Sequence, residues 1–410
     1  MGYKTARVRR QPRAKRKSLY ALSSSVSYAI EGLEPRLYLS TALPPAIVVG
    51  RTLSSYFAGD VQNNQETITY TVYNEQAESE TGVLLTDTLA AGITIASASQ
   101  QPDQSGQNLA WSLGTIQGFD RASVSLTVNL PSPIPTQLDT GAVAYATLDG
   151  GAVSNSTPAA TLQAGTVDPT LLDATPDTDA TDMSDAQTGP IADPYIQEEA
   201  AKLNYDPQQI FNFLEDDVTY NSYFGSLRGA RGTLWSSAGN ALDVASLGVA
   251  LMRASGIPAQ YVSGTLSKSQ AQQLILSMFP AQYQTVGYIP AGTQLSDPAD
   301  DSQLLSETES HYWFQFDAGS GMTDADPLMP GAMIGQTFTA ATGTFTIVPD
   351  SLRETAEISL TAEIYSQADA SLGLADPFQD TVVLDQTFND VNLVGRPLSI
   401  ANFVSSNSLG

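Results

Sequence analysis

The amino-acid sequence predicts a multidomain protein: an N-terminal all-β antiparallel sandwich, then an α+β domain, then a β-rich C-terminal segment. Three observations lead there. Between residues 46 and 165, apolar and polar residues alternate in short runs, the two-residue period of half-buried strands. From residue 192 the apolar spacing becomes that of helices, with capping residues at the expected ends. Residues 356–366 and 380–388 then return to alternation. A chain of 410 residues exceeds what one hydrophobic core organises, and 42% hydrophobic content is enough to build several.

Residues 1–45 are set apart by charge. Eight of the 18 Lys and Arg residues lie between Met1 and Lys17. The other 393 residues hold ten basic against 43 acidic residues, a net charge of −33. Such a body repels polyanions, so no nucleic-acid partner is expected. A Ser-rich, weakly apolar run, SLYALSSSVSYAI at 18–30, follows the basic head in the order of an export signal; a disordered basic tail is the alternative. Leu33-Glu34-Pro35-Arg36-Leu37-Tyr38-Leu39-Ser40 resembles the LEPR-XLL segment of long planctomycete surface proteins. That resemblance implies export or cell-surface residence, and a folded body starting near Ala46. Apolar stretches are interrupted every few positions, so no membrane-spanning helix is expected. The chain has no Cys, which excludes disulfides, thiolate chemistry and Cys-based metal sites. No cofactor or metal site is read from the sequence.

The first domain, 46–165, has its clearest strand at TITYTVY, residues 67–73, where Thr alternates with Ile, Tyr and Val. Further strands are expected at 82–85, 93–97, 109–113 and 122–128, separated by Gly, Pro, Asn, Asp and Gln clusters. The runs TDTLAAGITIASAS (86–99), LAWSLGTI (109–116) and SVSLTVNL (123–130) resemble the conserved-repeat domain of bacterial surface proteins. That family implies a spacer or adhesive-stalk module without catalytic residues.

Residues 166–195 form an Asp-rich linker on this reading. Asp168, Asp173, Asp177, Asp179, Asp182, Asp185 and Asp193 stand among Thr, Ala and Pro, a composition that favours a solvated, self-repelling segment. Calcium binding is the sharper alternative, but the spacing lacks the Gly and terminal Glu of an EF-hand loop.

The α+β domain is expected at 196–345 and a β-rich extension at 346–410. A helix over 194–203 precedes a second one that Asp206 caps, with Pro207 at its first position and Gln209 completing a capping box. Ile210, Phe211, Phe213, Leu214 and Val218 supply its buried face. Gly-punctuated residues 218–240 read as a loop. Asn240 then caps a third helix, carrying Leu242, Ala245, Val249 and Met252 at helical spacings and stopped by Gly256 and Pro258. A strand over 259–264 and a helix over 267–279, with Ser267 and Gln270 as a capping box, come next. HYWFQF at 311–316 is a strand that places His311, Trp313 and Gln315 on one face.

GNALDVASLGVALMRASGIPAQYVSG, residues 239–264, resembles the nucleophile-bearing helix of a transglutaminase-like, papain-type domain. In that family a reactive Cys opens the helix, a His lies on a following strand and an Asp orients the His. Counting back from Arg253 and the Gly256-Ile257-Pro258-Ala259 turn, the Cys position holds Ala241. His311, the single histidine, fits the family's His-x-Trp strand through Trp313, and Asp326-Pro327 fits its Asp-Pro. Gln260 replaces the usual Arg and Met322 stands where Trp is frequent. Asp243 matches an acid two residues after the Cys; complementing the helix N-terminus is its simplest role. Ser236 and Ser237 precede the helix and Ser246 lies about 500° of helical turn past Ala241, so none takes the nucleophile position on the family's path. The approach Gly225-Ser226-Leu227-Arg228-Gly229-Ala230, Gly232-Thr233-Leu234 and Gly239-Asn240 resembles a variant group, found in large bacterial surface proteins, whose Cys position is commonly another residue.

The expected function is therefore that of an exported surface protein whose transglutaminase-like domain is catalytically inactive and serves binding of an extended peptide or a cell-envelope component, or architecture alone. The alternative is a Cys-independent hydrolase or acyl transferase using His311 and Asp326. The terminal sequence SSNSLG reads as the end of a truncated product. Ligand and oligomeric state are not legible.

Overall fold

The computed structural model describes residues 7–8, 45–180, 189–279, 297–365, 371–372 and 378–396. The 18–30 run, the 33–40 motif, Asp182, Asp185 and the terminal SSNSLG lie outside them. Two compact units are present, Met1–Pro44 with Thr355–Asp390, and Pro45–Glu354 with Val391–Gly410. The smaller is an antiparallel sheet in which β1 (Arg7–Val8) pairs with β16 (Thr355–Tyr365), and β16 with β17 (Phe378–Asn389).

The larger unit opens with the sandwich. One sheet has the order β2 (Ile47–Leu53), β3 (Gln65–Asn74), β7 (Arg121–Asn129), β5 (Thr94–Ala98). The other runs β6 (Asn108–Ile116), β4 (Glu80–Thr88), β8 (Val143–Leu148), β9 (Gly151–Ser156). Alternation along β3 and β7 sends Ile68, Tyr70, Val72, Leu126 and Val128 inward, against Leu85, Leu109 and Trp111 of the facing sheet. Three strands were not expected. β2 reads IVVGRTL, whose opening apolar run lacks alternation. β8 and β9 close on Asp149-Gly150, both at positive φ (49° and 79°), the two-residue hairpin turn that an Asp-Gly pair favours.

The Asp-rich stretch departs from the solvated character expected of it. Asp177, Asp179 and Asp193 are buried. Burying a carboxylate is tolerated when donors surround it, and they do: Arg353 on Asp177, the Ala192 amide on Asp179, Arg231 on Asp193. Only the tertiary fold brings those donors in.

The α+β part is built around one helix. α1 (Pro194–Lys202) and α2 (Pro207–Asp216) are capped by Asp193 and Asp206. The reciprocal half of the expected box at α2 gives way to another contact, because the Gln209 side chain accepts from Asn204 instead. After β10 (Thr219–Tyr220), residues expected to loop form α3 (Gly229–Ser236), followed by β11 (Ala238–Gly239). The Gly punctuation there serves close packing: a Cβ on Gly232 would meet Arg228 and Val394. α4 (Ala241–Ala254) is buried along its whole length, so its apolar residues form no single stripe. β12 (Ala259–Thr265), α5 (Lys268–Ser277), α6 (Ser302–Glu309), β13 (Ser310–Asp317), β14 (Met322–Ala325) and β15 (Ala341–Phe345) complete the domain, with an antiparallel sheet of order β14-β13-β12-β15. The Ser267–Gln270 capping box at α5 forms as expected. No helix among the described residues is long and apolar enough to cross a membrane.

Candidate functional site

α4 starts where the sequence places it. Asn240 accepts from the Asp243 amide at 2.8 Å, and its own amide donates to the Tyr223 and Gly225 carbonyls at 2.9 and 2.7 Å. One side chain thus caps the helix and fixes the approach segment, a contribution of about 1 kcal/mol for the cap alone.

Asp243 does more than complement the helix end. Its fully buried carboxylate accepts from the Tyr223 hydroxyl (2.7 Å), the Ser226 hydroxyl (3.0 Å) and the amides of Leu227, Arg228 and Gly229 (3.2, 2.8 and 2.9 Å). Burial pushes its pKa up, and the Tyr223 hydroxyl first, then the Arg228, Gly229 and Leu227 amides, pull it back. Ser226 also reaches Asp177 at 2.8 Å, whose other oxygen takes the Arg353 guanidinium. Tyr223 and Arg353 were not singled out from the sequence, and Ser226 and Asp177 were named there only as members of the approach segment and the Asp-rich stretch. The GSLRGA segment was visible, but nothing local shows that its amides converge on one carboxylate.

The strand side is set by α4. Phe314 of β13 packs against Gly248, where a Cβ would lie 2.4 Å from the ring. Three residues back along β13 stands His311; an odd step along a strand reverses the face, so its side chain lies on the side of the sheet opposite Phe314, with Trp313 and Gln315. A cavity of about 160 Å³ opens at the start of α4, lined by Ala241, Asn240, Ser310, Tyr312, Tyr223 and Glu307 among others, but not by His311 or Asp326. His311 and Asp326 are brought together, with Nε2 2.8 Å from Asp326 Oδ2 and both side chains fully buried. With the proton held between those atoms, His311 Nδ1 is left as a lone-pair acceptor. It is buried without a hydrogen-bond partner among the described residues, as is Asp326 Oδ1. Trp313 stacks on His311 at 6.0 Å between ring centroids and donates to Asp324 at 2.7 Å.

The hydroxyls near Ala241 are placed differently. Ser236 donates back to the Gly232 carbonyl at 2.7 Å, and Ser246 is buried inside α4. Gln260 pairs with Gln315 at 3.1 Å and Met322 sits at the sheet edge opposite Asp317. Among the described residues no group of three or more His, Asp or Glu side chains is arranged to hold a metal ion.

Residues 190–327 match the transglutaminase-like superfamily, and the chain carries a domain of that kind there. No curated protein matches. Similar solved structures include a proposed cysteine protease from Cytophaga hutchinsonii, 14% identical, covering 88% of this chain and 95% of that one, with a TM-score of 0.23. A GH20 exo-β-N-acetylglucosaminidase from Vibrio harveyi is 15% identical over 28% of this chain and 18% of its own, with a TM-score of 0.22. The major pilin subunit of Bacillus cereus is 9% identical over 29% and 41%, with a TM-score of 0.24. The chain thus spans less than half the length of the Vibrio and Bacillus proteins.

Proposed function

We propose that this is an exported cell-surface protein whose transglutaminase-like domain is non-catalytic and serves to bind an extended peptide or envelope component, or to build the envelope. One observation carries the reading. At the start of α4, where a nucleophile would gain from the helix dipole, stands the methyl group of Ala241, while His311 and Asp326 form a buried pair in the same domain. A base and its orienting carboxylate do no acyl-transfer chemistry without an atom to deprotonate. The cavity beside Ala241 supports binding, and the basic head followed by the 33–40 motif supports export.

A second reading keeps catalysis, with His311 and Asp326 acting on a hydroxyl; Ser310 and Ser351, both in the cavity wall, favour it. Hydroxyl-directed acylating probes separate the two. The non-catalytic reading expects no adduct, and an adduct that disappears in His311→Ala overturns it. Within that reading, peptide binding lost in Ala241→Trp supports a binding role, and no binding by the wild-type chain supports an architectural one.

A further inference from the structure

At the opposite end of α4, the sandwich and the α+β part enclose a second cavity, of about 270 Å³. Its wall brings together Arg51 of β2, Tyr56, Gln163, Ser255 at the end of α4, and the α1–α2 turn with Asn204 and Tyr205. Ligand sites favour such junctions between packed domains, and this volume sits just under the range of about 300–1,000 Å³ typical of drug-sized ligands.

The turn is held in an unusual conformation. Asn204 and Tyr205 are consecutive residues with positive φ, 54° and 57°, a left-handed geometry that Asn tolerates and a bulky side chain such as Tyr205 rarely adopts. It projects Tyr205 across the junction, where its hydroxyl accepts from the Arg51 amide at 2.6 Å. The Arg51 side chain, 10% exposed, donates to the Pro158 carbonyl at 2.5 Å and lies 3.7 Å from Asp139, while its Nε is buried without an acceptor.

Charge and shape narrow the ligand. The carbonyl end of α4 contributes Ala254 and Ser255 to the wall, presenting the negative end of a helix dipole, and the chain carries a net charge of −25. Both disfavour an anion. Arg51 and Asp139, 3.7 Å apart, offset each other, so the wall presents no net side-chain charge for a cation either. What remains is a neutral ligand rich in donors and acceptors. Tyr56, Tyr205, Pro158 and Pro207 offer flat apolar surfaces for the C–H face of a ring, and Arg51, Asn204 and Gln163 offer polar groups for its hydroxyls. We propose that this cleft binds a neutral sugar residue. The site is separate from Ala241 and independent of whether the first cavity binds anything.

Saturation-transfer NMR on the full chain tests it, with glucose and N-acetylglucosamine as neutral probes and glucosamine and glucuronic acid as charged ones. Transfer to at least one neutral sugar is expected, with weaker transfer to both charged sugars. Ala318→Trp, at the exposed rim, is expected to block it. Asn204→Gly, whose φ suits glycine, and Gln163→Ala are each expected to weaken binding about tenfold, the loss of one or two hydrogen bonds, with thermal unfolding retained. Absence of transfer to both neutral sugars, unchanged transfer in the folded Asn204→Gly and Gln163→Ala proteins, or preference for a charged sugar overturns the proposal.

Discussion

At Ala241 the side chain ends at Cβ in the first turn of a long helix, and the same domain holds a buried imidazole whose Nδ1 has no partner among the described residues. Ala241→Cys is therefore expected to yield a thiol with a pKa below the free value of about 8.5, through the helix dipole and any charge on His311. Iodoacetamide labelling at pH 7 should proceed several-fold faster than for a Cys placed on an exposed loop, and the excess should shrink in Ala241→Cys with His311→Ala. Equal rates would show that the scaffold no longer supports the chemistry. Two residues on, Asp243 satisfies five donors from side chains and backbone. Asp243→Ala orphans them in a buried place and should cost about 3 kcal/mol, read as a lower thermal midpoint, with Asp243→Asn falling between it and wild type. Of these residues, the helix start at Ala241 and the pairing of His311 with Asp326 were anticipated from the sequence through the family resemblance, whose motifs are short and local. The role of Asp243 was half legible: its position fits the helix end, but its donors come from a segment 14 to 20 residues away.

Among the elements, α4 shows how burial overrides propensity. Ala in place of Gly248 would gain about 1 kcal/mol of intrinsic helix preference. Its Cβ would lie within 3 Å of three atoms of the buried Phe314 ring, and overpacking of that kind costs about 1–3 kcal/mol. Gly248→Ala is expected to lower the unfolding midpoint, and Gly248→Ala with Phe314→Leu to recover part of the loss; a stabilised single variant would show that the contact relaxes freely. Caps were the most readable features of the elements. Asp206 and Asn240 cap as expected, and the Ser267–Gln270 box closes. α3 was not readable, since Gly229 and Gly232 interrupt the pattern and each is there for close neighbours, Asp177 and Val391 for the first, Arg228 and Val394 for the second.

For the larger unit as a whole, buried carboxylates of the sandwich set a pH dependence. Burial, reinforced by Asp139, pushes Asp87 up to about 7; burial also pushes Glu75 to about 7, helped by Glu198. A carboxyl raised in the folded state binds its proton more tightly there than when unfolded. Its stabilising contribution is full below about pH 4 and is lost as pH rises through about 7. Between pH 8 and pH 6 the unfolding midpoint should therefore rise, with Asp87 alone supplying on the order of 1 kcal/mol, and Asp87→Asn should flatten the slope. A midpoint that falls over the same interval would mean that other groups dominate. The Asp-rich stretch makes the same point about long-range context: composition describes a solvated segment, whereas Arg231 and Arg353 turn Asp193 and Asp177 into buried anchors.

By itself the sequence determined the order of sandwich, α+β domain and terminal β segment, the helix caps, and the start of α4 at Ala241, because periodicity, capping chemistry and short spacings act within one element. The tertiary structure decided the partners of the buried acids, the packing that excludes a side chain at Gly248, and the cleft where Tyr205 meets Arg51. Those depend on which residues meet after long stretches of chain are folded back, 154 residues apart in the last case, and no local pattern encodes a meeting at that range.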